Sequence, residues 1–341
     1  MTSRTVATTL TVIAALVLVL VPALTTGQTR DGSTSPQTPW GHPDLQGVWT
    51  NVGVTPLERP SEFGDRALLT DEEIAALEGE AGGLRSFRQQ TDEARDAGDP
   101  RDAQRLDRQG LNYNSFWYQQ KTVSRHTSLI VDPPDGQIPP FTPEGERRAT
   151  IGLETNQRVG VEAIGRRGYD SYEDRSLWER CITRPLPRLP GPYNNNFHIL
   201  QTPTHVVMLM EMIHEVRVIP LDGRPHAADS VRQWLGDSRG RWEGDTLVVE
   251  TTNFSDKANF IGSRAGLRLV ERFTRVDDDT IVQEVTLDDR TTWTRPWTVR
   301  IPMSQSDGPP FEYACHEGNY GLYNILAGAR AEEEEASAIH E

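Results

Sequence analysis

The sequence lacks the short motifs by which metal and nucleotide sites are often recognised. The four histidines in or near strand-like segments (His198, His205, His214 and His226) show neither a His-x-His nor a His-Glu-x-x-His spacing. The stretch 236–240 contains no phosphate-binding fingerprint. No cofactor is therefore expected. A divalent metal stays open as an alternative, because strands can bring distant histidines together.

Basic residues are outnumbered by acidic ones. The 341-residue chain has 35 lysines and arginines against 50 aspartates and glutamates, which gives a formal net charge of −15 at pH 7. Nucleic acids and anionic membrane surfaces are bound largely through positive charge. The composition therefore disfavours both as partners. A small-molecule ligand or substrate is expected instead, and the oligomeric state is left open.

Long apolar runs are absent apart from one near the N-terminus. Arg4 precedes the apolar run Leu10 to Leu24, and small polar residues follow it up to Gly27. This order is typical of a secretory signal peptide, and the run is shorter than the roughly 20 residues of a membrane span. We expect an exported protein, periplasmic or extracellular, with no membrane span after signal removal. An uncleaved N-terminal anchor is the alternative.

Cysteine is scarce as well, since Cys181 and Cys315 are the only two. In the oxidising compartment that export implies, they are the only pair that can form a disulfide bond. Such a bridge would close a loop of about 135 residues and stabilise the fold by about 4–5 kcal/mol in the chain-entropy model. Two buried free thiols are the alternative.

The second half of the chain contains the densest run of strand signals. Short segments rich in β-branched and aromatic residues are bounded by Gly, Pro or Asp. We predict a mainly β fold: an antiparallel meander forming a lipocalin-like barrel or half-barrel, with helical and irregular N-terminal segments wrapped around it. The predicted strand segments are 193–200, 205–219, 241–250, 269–274, 281–285, 292–303 and 312–316.

These signals divide the chain into four parts. A leader rich in Ser, Thr, Pro and Gly follows the signal peptide and is predicted to be disordered. A single β-barrel-like domain comes next, and an acidic tail ends the chain. The predicted parts are the signal peptide 1–27, the leader 28–39, the domain 40–330 (helical or irregular over 57–180, with its strand core over 193–316) and the tail 331–341.

Local signals add detail before the strand core. Thr70 to Glu73 matches a capping box, which predicts a helix start. Thr142-Pro143 predicts a second helix with proline at its first position. The proline-rich run 184–190 is incompatible with regular structure and is predicted to be a rigid connector.

Two resemblances fit this organisation. The Gly-x-Trp at Gly47 and Trp49 is similar to the first strand of lipocalin-like barrels, in which the tryptophan closes the barrel floor. The chain also resembles a family of exported bacterial proteins without an established activity. That resemblance implies export and a single domain, and it assigns no catalytic residue. The stretches that carry it are 40–49, 128–147, 193–198, 219–226 (Ile-Pro-Leu-Asp-Gly-Arg-Pro-His), 234–254 and 313–330.

Charged residues in an otherwise apolar segment form the first candidate site. Ideal strand alternation over 205–219 places Glu211, Glu215 and Arg217 on one face. It places His214 on the opposite face with three methionines. If the charges point inward, Glu can transfer protons and Arg can bind an anion or a carbonyl. If they point outward, cross-strand ion pairs result. A turn near His214 is the third possibility.

Two functions are compatible with these residues. The first is an exported, cofactor-independent enzyme, a hydrolase, lyase or isomerase, that applies general acid/base chemistry to a small polar or glycosylated compound. The alternative is a non-catalytic, lipocalin-like protein that binds an apolar or aromatic small molecule. The candidate catalytic residues are His198, Glu211, His214, Arg217 and His316. The candidate cavity-lining residues are Trp49, Met208, Met210, Trp242 and Trp293.

Overall fold

Ten strands form one antiparallel sheet that nearly closes into a barrel. The computed structural model describes residues 36–80, 123–153, 169–191, 193–306 and 308–339. The predicted signal peptide and residues 28–35 of the predicted leader lie outside the described residues. Residues 36–39 of that leader belong to the fold, since Thr38 is buried and its amide donates to the carbonyl of His42 at 2.8 Å.

In the described part of the chain, the regular structure consists of strands, three α-helices and a few short 3₁₀ turns. The strands are β1 (Gly47–Thr50), β2 (Ile130–Asp132), β3 (Asn196–Gln201), β4 (His205–Met210), β5 (Glu215–Pro220), β6 (Asp237–Glu243), β7 (Thr246–Thr252), β8 (Arg268–Arg275), β9 (Thr280–Asp288) and β10 (Trp297–Gln305). The helices are α1 (71–80), α2 (Pro143–Leu153) and α3 (Tyr320–Ile339). Among the described residues, no helix combines the length and the apolarity that a bilayer span requires.

The strand order confirms the predicted mainly β, barrel-like fold. The order is β5-β4-β3-β1-β10-β9-β8-β7-β6, and β2 adds to β10. The two terminal strands of this order, β5 and β6, approach each other through side chains: a Cβ at Gly240 would lie 2.8 Å from Ile219 Cγ2. Glycine at that position therefore allows the two edges of the sheet to meet.

Alternation along the strands places the apolar residues in the interior. In β9, Ile281, Val285 and Leu287 are fully buried, while Val282, Glu284 and Thr286 are partly exposed. Successive side chains of a strand point to opposite faces, so this pattern gives the barrel one apolar lining and one solvated face. Gln283 has the same parity and is also buried.

The segment 205–219 is a hairpin and not one continuous strand. A 3₁₀ turn at Met212–His214 separates β4 from β5, and Met208 pairs with Arg217 across the hairpin. The predicted alternation through 211–214 is therefore wrong, because the turn resets the parity of the strand. Arg217 therefore points to the inward face of the sheet, which is the same face as that of the methionines of β4.

Two features after β10 also differ from the sequence prediction. The segment 312–316 is irregular, so β10 is the last strand. Helix α3 continues past Arg330, where a charged tail was predicted, and ends at Ile339. Alanine and glutamate are strong helix formers, and the Arg330–Glu333 ion pair spans one turn of this helix.

The proline-rich run 184–190, here named the plug, closes one end of the barrel. Leu186 and Leu189 are buried and belong to the hydrophobic core. The carbonyl of Arg188 accepts a hydrogen bond from Asn51 Nδ2, just beyond β1, at 2.9 Å. The predicted connector is therefore an interior segment. Proline suits it, because a chain that crosses a barrel end has no neighbouring strand to which it can donate ladder hydrogen bonds.

A disulfide bond between Cys181 and Cys315 anchors the start of the plug, as predicted, with a Cα–Cα distance of 5.7 Å. The bridge joins the plug to the segment that follows β10. Asn319 supports the junction, because its Nδ2 donates to the carbonyl of Glu179 at 2.8 Å. The segments covering this barrel end are therefore linked covalently.

The opposite end of the barrel contains Trp49. Its side chain is fully buried, and its Nε1 donates to the carbonyl of Leu45 at 2.9 Å. The guanidinium of Arg275 lies over the indole ring at 5.3 Å, and its Nη1 donates to the carbonyl of Asp44 at 2.7 Å. The segment before β1 therefore covers this end, with Trp49 packed beneath it.

Helix α2 lies very close to the loop before β10, and this proximity gives a testable prediction. A Cβ on Gly145 would lie 2.1 Å from the carbonyl oxygen of Thr292. We expect Gly145→Ala to lower the free energy of unfolding by about 1–2 kcal/mol, because the steric cost of overpacking exceeds the gain in helix propensity. The measurement is equilibrium urea unfolding, followed by tryptophan fluorescence.

Gly79 in α1 provides the matched control. An added Cβ there meets no atom of the described residues within 4 Å. Gly79→Ala is therefore expected to raise the free energy of unfolding by about 0.5–1 kcal/mol, as for an exposed helix position. Equal effects of the two substitutions would contradict the close approach of α2 to the loop.

Candidate functional site

A buried ion pair lies inside the barrel. Arg217 on β5 contacts Glu271 on β8, and their side chains are 4% and 2% exposed. Arg217 Nε donates to Ser238 Oγ at 2.9 Å, and its Nη2 donates to Thr251 Oγ1 at 2.6 Å. Gln283 Nε2 donates to Glu271 Oε1 at 3.1 Å. Buried charges are tolerated when they are paired and hydrogen-bonded in this way.

A small cavity lies beside this network and is named the barrel cavity. It is bordered by Arg217, Glu271 and Gln283 on the polar side, and by Phe197 and Phe273 among its apolar residues. The space open to the centre of a water molecule is about 10 Å³, which corresponds to about one water. The interior is thus mostly filled by side chains.

A second cavity of the same size, the plug cavity, lies between the plug and the start of β3. Arg188 borders both cavities and forms an ion pair with Glu215 at the start of β5, whose side chain is 12% exposed. The amide of Arg184 donates to the same carboxylate at 3.4 Å. Asn51 also borders the plug cavity, and its Oδ1 has no hydrogen-bond partner within the described part of the chain.

Methionine is concentrated around these cavities. The chain has five methionines, and four of them border one cavity or both. They are Met208, Met210, Met212 and Met303. Methionine is unbranched and has several rotatable bonds, so a wall built from it adjusts its shape at little cost. The small volume is therefore bounded by unusually adaptable side chains.

The five candidate catalytic residues lie in four different environments. Arg217 is the interior cation described above. His198 lies on the outer side of β3, between the inward-facing Phe197 and Ile199. His316 is exposed after the disulfide.

The other two candidates lie at the turn between β4 and β5. Glu211 is 2% exposed and accepts hydrogen bonds from the amides of Asn196 at 3.3 Å and Phe311 at 2.8 Å. His214 Nδ1 lies 3.0 Å from the carbonyl of Tyr313. Both side chains connect the turn to the segments covering the barrel end, which is a structural role.

This turn is strained. Ile213 has φ +62° and is buried, and His214 has φ +44°. The left-handed region costs a residue other than glycine roughly 1–2 kcal/mol, and it is rarely adopted by a β-branched residue. The hydrogen bonds of Glu211 and His214 help to hold the turn in this conformation.

The candidate cavity-lining residues divide in a similar way. Met208 and Met210 border the barrel cavity. Trp49 and Trp293 are fully buried in the core, and Trp293 contacts Trp297 edge to face at 5.3 Å. Trp242 is partly buried and stacks on the ring of His42 at 5.0 Å. The tryptophans thus stabilise the core and the barrel end.

The sequence from Gly236 to Gly240 matches the Gly-x-Ser-x-Gly pattern of the serine-hydrolase nucleophile elbow, which requires an exposed serine on a turn between a strand and a helix. Ser238 instead lies within β6, is 6% exposed, and its Oγ contacts Arg217 and Thr251. Close packing accounts for both glycines. A Cβ on Gly236 would lie 2.5 Å from the carbonyl of Thr252, and one on Gly240 would lie 2.8 Å from Ile219 Cγ2.

A His–Asp pair next to this serine does not complete a catalytic triad. His226 Nδ1 lies 2.9 Å from Asp237 Oδ2. Neighbouring residues of a strand point to opposite faces, so Asp237 and Ser238 are directed away from each other. The pair therefore fixes the loop before β6, together with the amide of Ala227, which donates to Asp237 at 3.0 Å.

A buried carboxylate outside the barrel cavity organises the loop before β10. Burial alone would raise the pKa of Asp289, but hydrogen bonds from the hydroxyls of Ser263, Thr292 and Thr291 outweigh it and lower the pKa below its usual value. The side chain is 3% exposed and its oxygens are saturated by these donors. It serves as a structural anchor for the loop that α2 contacts.

Sequence reasoning missed Glu271 and Gln283. The sequence did contain a signal for each of them. Glu271 alternates in step with the apolar residues Leu269 and Phe273, and Gln283 does so with Ile281 and Val285, so each lies on the apolar face of its strand. A polar residue on the apolar face of a strand indicates a buried polar site. Among the described residues, no three histidine, cysteine, aspartate or glutamate side chains are grouped as a metal site would require.

Comparison with known proteins found no matching family model, no matching curated protein and no matching solved structure. The comparisons therefore add neither a family nor a site residue to what the geometry provides. The barrel cavity is the candidate site on structural grounds: it lies in the interior of a barrel-like sheet and combines apolar walls with a buried polar network.

Proposed function

We propose that this protein binds a small, largely apolar molecule in the barrel cavity and does not transform it. The observation that carries the proposal is the lining, in which adaptable methionines and aromatic rings lie beside a few buried polar groups that are hydrogen-bonded to one another. Ligand sites in proteins are typically apolar with a few convergent polar groups. Barrels of this size hold one small ligand in their interior.

The small volume is compatible with this proposal because of its walls. Met208, Met210 and Met303 form part of the boundary, and each can change rotamer to make room. The plug contributes Leu186 to the same boundary and lies at a barrel end, where a ligand would enter. The bound form would therefore differ from this one mainly in side-chain positions.

The acid–base enzyme has less support from the geometry. A general acid or base must come within hydrogen-bond reach of the reacting group. His198 lies on the outer face of the sheet, His316 is exposed, and His214 contacts a backbone carbonyl. The interior carboxylate of Glu271 is held by Arg217 and Gln283. Binding without turnover is the function that these positions favour.

The proposal is tested by a substitution that reduces the volume of the barrel cavity. Met208→Phe replaces a flexible side chain of the cavity wall with a rigid ring. We expect it to weaken binding of 4-ethylphenol and 1-octanol at least about tenfold, equivalent to about 1.4 kcal/mol. Isothermal titration calorimetry on the purified protein measures both probes. Analysis of the recovered probes by mass spectrometry is expected to show no chemical change.

Leu209→Phe is the matched control. Leu209 neighbours Met208 on β4 but has the opposite parity and is only partly buried. The ring then lies on the outer face, and binding is expected to stay within about twofold of wild type, because the cavity wall is unchanged. Equal loss in both variants, or no binding of either probe by the wild-type protein, would refute the proposal.

A further inference from the structure

Gln283 is the one residue of the barrel cavity whose hydrogen bonding suggests what a ligand must offer. It lies on the inward face of β9 and is 4% exposed. Its Nε2 donates to Glu271 Oε1 at 3.1 Å. Its Oε1 has no hydrogen-bond partner in the residues that the structure describes. The cavity is thus bordered by a buried acceptor that is not used by the protein.

The orientation of this amide is determined by its neighbour. An ionised carboxylate only accepts hydrogen bonds, so the amide nitrogen must face Glu271 and the oxygen must face away from it. Glu271 forms an ion pair with Arg217, and its two oxygens accept hydrogen bonds from Arg217 and Gln283. The free group of Gln283 is therefore an acceptor and cannot become a donor by rotation of the amide.

The charges around the barrel cavity are already balanced. Arg217 is paired with Glu271, and Arg188 is paired with Glu215. An anionic ligand would have to compete with these carboxylates for arginines that are hydrogen-bonded in place, and a buried charge without a partner is very costly. The electrostatics of the cavity therefore favour an uncharged ligand.

From these two properties, and resting on the proposed function, we infer that the ligand is a neutral, mainly apolar molecule with a hydroxyl or N–H group. The group donates a hydrogen bond to Gln283 Oε1. Phenols and alcohols belong to this class; carboxylates and ethers do not. The apolar body lies between the methionines and Phe197 and Phe273, while the donor satisfies an acceptor that is costly to bury unpaired.

Three ethylbenzenes that differ only in their para substituent test this inference on the wild-type protein by calorimetry at pH 7. 4-Ethylphenol is a neutral donor, 4-ethylanisole lacks the donor, and 4-ethylbenzoate is an anion. We expect 4-ethylphenol to bind about three- to tenfold more tightly than 4-ethylanisole, the ratio that one net hydrogen bond supports. The anion is expected to bind most weakly.

Gln283→Met links this preference to the residue, because methionine is of similar length and has no amide. The ratio of the affinities for 4-ethylphenol and 4-ethylanisole should therefore fall to about one in this variant. If this variant does not fold, the wild-type comparison still decides. Equal binding of phenol and anisole, or tightest binding of the benzoate, overturns the inference alone; no binding by any of the three overturns the proposed function with it.

Discussion

Removal of the Cys181–Cys315 disulfide is expected to lower the free energy of unfolding by about 4–5 kcal/mol, the largest effect that we predict for this chain. The two cysteines are 134 residues apart in sequence. The bridge therefore restricts a long loop in the unfolded chain, and in the chain-entropy model the loss of that restriction has this magnitude. The melting temperature should fall by roughly 10 °C, on the scale expected for a domain of this size.

The measurement compares thermal unfolding of wild type with that of the double variant Cys181→Ala/Cys315→Ala. Addition of dithiothreitol should lower the melting temperature of wild type to that of the double variant. It should leave the double variant unchanged, which controls for other effects of the reductant. A wild-type melting temperature that does not respond after full reduction, verified by thiol titration, would contradict the prediction.

The second large effect is expected from breaking the interior ion pair. Arg217→Met leaves the carboxyl group of Glu271 without its ionic partner in a site where its side chain is 2% exposed. Removal of one partner of a buried pair typically costs about 3–5 kcal/mol, because the remaining charge has no compensation. The hydroxyls of Ser238 and Thr251 also lose their contacts with the guanidinium. Equilibrium urea unfolding measures the loss.

A double-mutant cycle separates the interaction energy of Arg217 and Glu271 from the other effects of each substitution. Arg217→Met combined with Glu271→Leu leaves no charge behind, so it is expected to cost less than Arg217→Met alone. The control is the outer-face pair Arg268–Glu250, with side chains 47% and 27% exposed. Removal of that pair should change stability by less than about 1 kcal/mol. A double interior variant as unstable as the sum of its two single variants would show that the two charges are not coupled.

Both effects concern the same region of the molecule. The disulfide holds the plug at the barrel end, and Arg217 lies deeper in the barrel beside the cavity that the plug borders. The plug also pairs with the barrel wall through Arg188 and Glu215. Stability and the proposed binding site are therefore built from shared contacts, so binding assays of these variants need a check of folding first.

Most of the strands followed from local chemistry. Segments of alternating polarity such as Ile281 to Val285 became strands with the expected face inside, because alternation is decided within a few residues. The capping box also formed: Glu73 N donates to Thr70 Oγ1 at 3.3 Å, and Thr70 N donates to Glu73 Oε2 at 2.7 Å. The disulfide was foreseeable since the sequence offers a single pair of cysteines.

The candidate site was foreseeable only in part. The charge of Arg217 within an apolar segment was visible in the sequence, and so were the methionines of β4. Its partner Glu271 was not identified, because it lies 54 residues further along the chain, on a strand three neighbours away around the nearly closed barrel. The turn at Met212–His214 was predicted only as an alternative to a continuous strand, because two consecutive left-handed residues other than glycine are uncommon.

The amino-acid sequence by itself therefore determined most of the strands and the helix starts, which depend on neighbours in the chain. It also determined the one possible disulfide, because it contains only two cysteines. Tertiary structure alone decided that the proline-rich run would enter the barrel, that Arg217 would meet Glu271, and that four methionines would surround two small cavities. The physical reason is that burial and charge pairing depend on which strands become adjacent when the sheet curls, and that adjacency is a property of the whole chain.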